Sequence, residues 1–524
     1  MTSTSARDLA SEDVDVLIVG AGLSGIGAAY RLQQQCPRRS YAVLEAREAV
    51  GGTWDLFRYP GVRSDSDIFT LSYPFRPWRD ATSLADGASI REYIARTATE
   101  EGIREHIRFR TKVVDASWNS AEARWTVRTL VGEDAEPRTL TCSFLYVCAG
   151  YYDYDHGHQP DFAGVENFGG RLVHPQFWPE DLDVDGKRVV VIGSGATAVT
   201  LVPALAGRAA TVTMLQRTPS YVSALPAVDE AANALRRHLP AGLAHTLIRA
   251  KNVAITQAFY QFCRRRPELA KRLLRKGLLQ HLDDPAFLVE HFTPPYDPWD
   301  QRLCVTPEGD LLQAVAAGRA DVVTDTIDRF VGPGIRLRSG RTLEADIVVS
   351  ATGLSLLPIG GMTLTVDGAP VTLGERFAYR GMMLSGVPNL AFCVGYTNAS
   401  WTLRADLVSQ YVCRLLNHMA RHDIAYGAPV APPAEVPRPL LDLTSGYVQR
   451  AIDRFPKQGR RDPWTVRQNY VVDRVAMPRA DVRRDMTFVA RASLPAASTH
   501  PAPGAGHHPP RMMRGRRAAT TVEG

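Results

Sequence analysis

Two stretches of the chain carry the same pattern of apolar and small positions. From Val14 to Val19 a short apolar run breaks into Gly20, Gly22 and Gly25, then passes into an Ala-rich pattern of helical period that ends near Gln35. From Arg188 to Ile192 a second apolar run breaks into Gly193, Gly195 and Ala198. Each predicts a buried strand, a tight turn and a helix. Further apolar runs at Tyr41 to Glu45, Phe144 to Gly150, Thr211 to Gln216, Ala345 to Gly353 and Asn389 to Gly395 predict more buried strands, and Thr402 to Met419 has helical spacing. The fold class that follows is α/β, with two Rossmann-like dinucleotide-binding domains. A helix-patterned stretch from Ala231 to Leu282 reads as an insertion in the second of them. The order of strands in each sheet stays open.

The glycines give both turns a chemistry. Gly20 permits the sharp turn, Gly22 lets backbone approach a pyrophosphate, and Gly25 lets the helix pack closely, while the N–H groups at the helix start attract phosphates. Ser24 lies inside this turn. The following strand ends in Glu45, about twenty residues on, where a carboxylate can take a ribose hydroxyl pair and would repel a 2′-phosphate. That suits FAD or NAD. In the second turn, Gly193, Ser194, Gly195, Ala196, Thr197 and Ala198 repeat the design with alanine in the third glycine's place, an accepted variant. Its following strand ends in Gln216 and Arg217, and a cation at that position predicts the 2′-phosphate of NADPH.

At 524 residues, with 45% hydrophobic composition, the chain is long enough for more than one domain. We expect an FAD-binding domain from 13–150 and 381–491, an NADPH-binding domain from 151–230 and 311–380, and a helical insertion at 231–310. Residues 1–12 and the basic, Pro- and His-rich tail 492–524 are expected to be disordered. The net charge of +6 owes much to that tail, and no basic–aromatic module for nucleic acid is present. No run is long and apolar enough to span a bilayer, and the polar start does not read as a signal peptide, so the expected location is cytoplasmic. Seven scattered cysteines lack metal or redox spacing and read as reduced packing thiols. The basic run Arg264 to Lys276 fits either a solvated helix face covering the site or a peripheral membrane contact.

Between the two glycine turns lies Phe168, Gly170, His174, Trp178 and Pro179, matching F-x-G-x-x-x-H-x-x-x-W-P at every specified position. With Gly51 to Asp67, Trp299 to Cys304 and Gly395 to Thr402, this pattern resembles the type I Baeyer-Villiger monooxygenases, and within them the ethionamide-activating subgroup, over Asp13 to Arg491. Ser64 before Asp65, and Asp55 to Phe57 after Gly51 to Trp54, agree with that subgroup and weigh against cyclic ketones.

The resemblance implies that NADPH reduces FAD, that O2 adds to the reduced flavin as a C4a-peroxide, and that this converts linear or aryl ketones to esters and oxidises thioether or thioamide sulfur. Arg302 matches the family's active-site guanidinium and Asp65 the carboxylate beside it; without the match, a surface ion pair and a helix N-cap would be the readings. FAD contacts are expected from Ser24, Gly52, Thr53, Trp54, Asp65 and Val113, and NADP contacts from Arg63 and Ser64. Trp54 reads as a flavin-facing ring or a packing aromatic, and Trp401 as a pocket border. His174 reads as a hinge residue or a satisfied core histidine. The alternatives are a heteroatom-only S- or N-oxygenase, a disulfide reductase, for which no C-x4-C pair follows the first turn, and a non-catalytic NADPH-binding module, which predicts damage at Asp65, Arg302 or the fingerprint.

Overall fold

A computed structural model describes residues 13–495, so the expectations for 1–12 and for the tail beyond 495 lie outside the described residues. Strand β1 (Asp13–Val19) lies between β2 (Tyr41–Leu44) and β6 (Glu136–Val147), parallel to both, with Val16 opposite Tyr41 and Phe144. The β1 side chains alternate between two cores. Val16 and Ile18 enter one hydrophobic cluster, Leu17 and Val19 another on the opposite face. A strand buried on both faces needs an unbroken apolar run, which is why Val16 to Val19, past the half-buried Asp15, shows no alternation.

The first sheet has nine strands. From β1 it runs through β2 to β3 (Ile107–Arg108) on one side; on the other, β6 joins β5 (Arg124–Val131) and β4 (Thr111–Asn119) in an antiparallel meander. Helix α1 (Leu23–Gln35) covers one face together with the later helix α6 (Trp401–Arg421). The second sheet has five strands, all parallel, in the order β10 (Asp321–Thr324), β9 (Thr211–Gln216), β8 (Arg188–Ile192), β11 (Ile347–Ser350) and β7 (Arg171–Val173). Helix α2 (Ala196–Leu205) follows β8.

The chain returns to the first sheet earlier than its sequence indicates. β12 (Thr363–Val366) pairs parallel with β4, β13 (Ala369–Pro370) pairs with β12, and β14 (Leu390–Phe392) pairs with the C-terminal end of β6. Residues 363–370, placed by the sequence reading in the second unit, therefore belong to the first sheet. Leu364 packs in the cluster of Val113 and Trp118, a long-range contact that a four-residue strand does not advertise.

The insertion forms α3 (Glu230–His238), α4 (Ala241–Arg265) and α5 (Pro267–Leu278). The inner face of α4 buries Arg249, whose guanidinium donates to the carbonyls of Phe69, Thr70 and Ser72 at 2.8 to 3.3 Å. A further helix, α7 (Tyr470–Arg479), packs on α6 and α4. All seven cysteines are buried and free. Among the described residues, no helix is long and apolar enough to cross a membrane.

Candidate active site

Both glycine turns stand at the carboxyl ends of their sheets, where α/β proteins bind nucleotides. Gly20 has φ +101° and a Cβ there would lie 2.7 Å from the Cys148 carbonyl oxygen; Gly193 has φ +131° and a Cβ there would lie 2.3 Å from that of Ala351. In each turn the chain thus passes too close to a neighbouring strand for any side chain. The helices that follow begin at Gly22 and Gly195 with no side-chain cap, whereas the helices beginning after Asp67, Asp86, Asp229 and Asp284 are capped by those carboxylates. The open N–H groups of α1 and α2 are left for a ligand of negative charge.

One cavity of about 1340 Å³ joins the two turns. It exceeds the usual range for a single small-ligand pocket, roughly 300 to 1,000 Å³, and suits two dinucleotides better than one. Gly20, Gly22, Ser24, Glu45, Gly52, Thr53, Trp54 and Val113 line one end, and Gly193, Ser194, Gly195, Ala196, Thr197 and Arg217 the other, with Arg63, Ser64, Asp65 and Arg302 also on its wall. The first end closes tightly: a Cβ on Gly52, itself at φ +57°, would sit 3.0 Å from Gly22 Cα, so the first turn and the Gly51–Gly52 pair meet backbone to backbone and leave a cradle between them. These features fit a pyrophosphate.

Glu45 is buried, with its two oxygens accepting the N–H groups of Ala21 at 2.7 Å and Arg47 at 2.9 Å. Burial raises its pKa, while those two N–H groups and the Arg47 charge oppose the rise. Arg217 is exposed, with no acidic partner among the described residues. Arg63 is already engaged, donating twice to Asp310 at 2.6 and 3.2 Å across the two units.

Three expected contacts are absent from the cavity wall. Gln216 is buried and its amide donates to the His291 carbonyl at 2.7 Å and to Thr324 Oγ1 at 2.9 Å, so it braces β9 against β10. Ala198 is buried in α2. Gly25 faces inward, where a Cβ would lie 1.8 Å from the Gly20 carbonyl oxygen. The last two positions serve packing of helix against turn, the function their place in the motif gives them.

Arg302 and Asp65 meet at 3.3 Å, their side chains 34% and 28% exposed toward the cavity. Burial works against the guanidinium charge, but Asp65 and the nearby phenols of Tyr151, Tyr447 and Tyr152 outweigh it, and the pKa of Arg302 stands well above its ordinary value. The helix-capping alternative for Asp65 fails for a local reason. Asp67 takes that task, accepting the Thr70 N–H at 2.9 Å, which leaves Asp65 free to point at Arg302.

The fingerprint residues lie apart from the cavity wall. Phe168 packs edge-on against Phe330, with ring centroids 5.7 Å apart, and a Cβ on Gly170 would lie 2.4 Å from the Asp346 carbonyl oxygen. Trp178 packs on the apolar cluster of the second sheet. His174 Nδ1 accepts the Gln176 N–H at 3.2 Å, and Gln176 donates on to the carbonyls of Asp153 and Tyr154 in the cavity wall. Burial lowers the His174 pKa. The segment thus ties the second sheet to the crossover between the units.

Residues that sequence reasoning did not select also line the cavity: Tyr151, Tyr152 and Tyr447 near Arg302, and Tyr154 beside Thr53. Burial pushes the Tyr154 phenol up to about 12. The adjacent tyrosines at 151, 152 and 154, just after a strand end, were a visible aromatic cluster; Tyr447 had no such context. Trp401 borders the cavity, its indole donating to Ser24 Oγ at 2.7 Å.

Comparison with known proteins agrees with this architecture. Residues 70–230 match the flavin-binding monooxygenase-like family, and residues 18–83 an NAD(P)-binding Rossmann-like domain. The chain is 53% identical to the FAD-containing monooxygenase EthA of Mycobacterium tuberculosis, over 88% of this chain and 95% of that protein. It is 51% identical to EthA of Mycolicibacterium smegmatis, over 88% and 94%. Among solved structures, an oxidized steroid monooxygenase bound to NADP superposes with a TM-score of 0.72 at 21% identity, covering 91% of this chain and 100% of that one, a likeness of fold. On that identity and coverage, the chain belongs to the EthA family of FAD-containing monooxygenases, the type I Baeyer-Villiger relatives that its motifs resemble.

Proposed function

We propose that this flavin monooxygenase consumes NADPH and O2 to convert linear or aryl ketones to esters, with oxidation of thioether or thioamide sulfur as a second outcome at the same site. The observation that carries this reading is the Arg302–Asp65 pair on the wall of a cavity bounded by both dinucleotide turns. The balanced reaction is ketone, O2, NADPH and a proton giving ester, NADP+ and water. Gly20, Gly22, Glu45, Gly52, Thr53, Trp54 and Val113 would hold FAD, and Gly193 to Thr197 with Arg217 would hold NADPH, with Arg63 reaching its phosphates only by sharing Asp310. FAD, when bound, accepts hydride from NADPH and passes the electrons to O2.

The protein's part is electrostatic. Arg302 presents a permanent cation with fixed N–H directions where negative charge builds up on oxygen. Asp65 orients the guanidinium and can accept a proton on its free oxygen. Tyr151 and Tyr152 supply an aromatic wall that limits water beside the pair, their rings edge-on with centroids 4.7 Å apart. The exposed guanidinium of Arg217 would discriminate the 2′-phosphate of NADPH from the bare ribose of NADH.

The test is turnover of the purified flavoprotein with NADPH, isotopically labelled O2, a linear or aryl ketone and a thioether, read by mass spectrometry. Ester carrying one labelled oxygen supports the proposal. Labelled sulfoxide with every ketone untouched would overturn the ester-forming reading in favour of a heteroatom oxygenase.

A further inference from the structure

The helical insertion carries a surface that neither nucleotide turn uses. Helix α4 has no acidic residue in its 25 positions. Its inner face buries Ala244, Ile248, Arg249 and Asn252. An outer face toward water is ordinarily polar. Here Leu243 and Leu247 stand one turn apart, and the small residues Ala250, Ala254 and Ala258 continue the same exposed stripe. Helix α7, which packs against α4, adds Val471, Val472 and Val475. With Ile255 beside the stripe, these six large aliphatic side chains are 40% to 59% exposed. Single exposed leucines are unremarkable, but two adjoining helices that both turn aliphatic side chains outward mark a contact surface.

Lys251 and Arg264 of α4 are paired with Asp229 and Asp300, and the charges that α4 and α7 leave exposed and unpaired have one sign. Arg265 and Arg266 at the end of α4, and Arg474 and Arg479 on α7, are exposed, and among the described residues none has an acidic partner. The only carboxylate of α7, Asp473, is buried and accepts from Arg404 at 2.9 Å and Tyr396 at 2.7 Å. A second copy of the chain is a poor occupant, because a two-fold contact would set this arginine fringe against itself. An anionic lipid surface offers apolar depth and phosphate charge together.

We propose that the outer faces of α4 and α7 form a peripheral membrane-contact surface, with the leucines and valines entering the headgroup boundary and the arginines meeting lipid phosphates. The contact lies on the membrane and does not span it, since none of the described helices can cross one. The inner side of α4 holds the segment that follows Asp65, through Arg249 on three carbonyls and Asn252 donating to Asp67 Oδ1 at 3.2 Å. The lipid surface is thus on the far side of the helix that braces the Asp65 wall of the cavity.

The test is flotation of the full-length flavoprotein with phosphatidylcholine vesicles, with and without about one-third phosphatidylglycerol, at about 0.1 and about 0.5 M salt. The wild type floats with anionic vesicles, and high salt releases much of it. Leu243→Glu with Leu247→Glu lowers the bound fraction about ten-fold, and Arg474→Gln with Arg479→Gln removes most of the preference for anionic lipid. None of these residues lines the cavity, so flavin absorbance and NADPH oxidation in free solution stay at wild-type levels and show that the variants are folded. Val475→Glu is the single-site control should the double variant not fold. Wild type that fails to float overturns the proposal. So does a double-leucine variant that floats normally, which would assign binding to the basic tail, or a lipid-free dimer that the leucine changes abolish, which would assign the face to a second copy.

Discussion

The two glycine turns are alike at their first glycine and different beyond it. Gly20 and Gly193 both have positive φ and both lie against a carbonyl at the end of an adjacent strand. At the second glycine they part: a Cβ on Gly22 would touch Gly52, whereas a Cβ on Gly195 would meet nothing within 4 Å. At the third, Gly25 has no room for a methyl group and Ala198 already carries one. The strands that follow end in a buried Glu45, bonded to its own turn, and in an exposed Arg217. The first turn is interlocked with its own fold; the second is open and presents a free charge. Such a pair suits one dinucleotide that stays and one that comes and goes.

The comparison meets its strongest test where both ends converge. Arg302→Ala is expected to lower ester formation by about 10² to 10³-fold, with NADPH oxidation retained because both nucleotide turns are untouched; product yield per NADPH consumed checks it. Gly25→Ala is the next largest. Its methyl would have to displace the Gly20 carbonyl, costing about 3 kcal/mol or more, and the variant should lose FAD and melting temperature, while Gly195→Ala keeps both. If Gly195→Ala were as damaging as Gly25→Ala, the distinction between closed and open turns would fail.

Arg217→Gln comes third. Loss of one charge-assisted contact, worth about 1.5 to 3 kcal/mol, should raise KM for NADPH about ten-fold to a hundred-fold and leave that for NADH unchanged, a selective effect that steady-state kinetics with both nucleotides would reveal. Gln216→Ala should not share it, since its amide never reaches the cavity.

The smallest effect concerns pH. Burial lowers the His174 pKa below its usual 6.5, so the folded protein favours the neutral ring. The stability this group contributes is therefore complete above the unfolded pKa and declines as pH falls through 6.5 toward the lower folded value. The melting temperature of the wild type should fall more steeply over that window than that of His174→Gln, and parallel slopes would remove His174 from the acid-sensitive link between the units.

Much of the site was legible because its signals are local. Gly20, Glu45, Gly193 and Arg217 follow from strand, turn and helix patterns within short windows, and those patterns force backbone N–H groups toward a ligand. Gln216 misled because it adjoins Arg217; Gln216 is the last residue of β9 and its buried amide braces β10, whereas Arg217 has left the strand and lines the cavity, so the two roles differ by a single position. The return at Thr363 was invisible because its four residues gain their place from Leu364 packing against a strand some 250 positions earlier.

The sequence by itself determined two strand-turn-helix units, the opposite charges at their ends and a family fingerprint between them, since each depends on residues close along the chain. Only the tertiary structure decided that Asp65 faces Arg302 while Asp67 caps the helix, that Tyr447 joins Tyr151 and Tyr152 beside that guanidinium, and that α4 and α7 turn aliphatic side chains outward. Those outcomes depend on which surfaces meet across hundreds of residues. Burial on one side fixes what is left facing the other, and no local pattern records it.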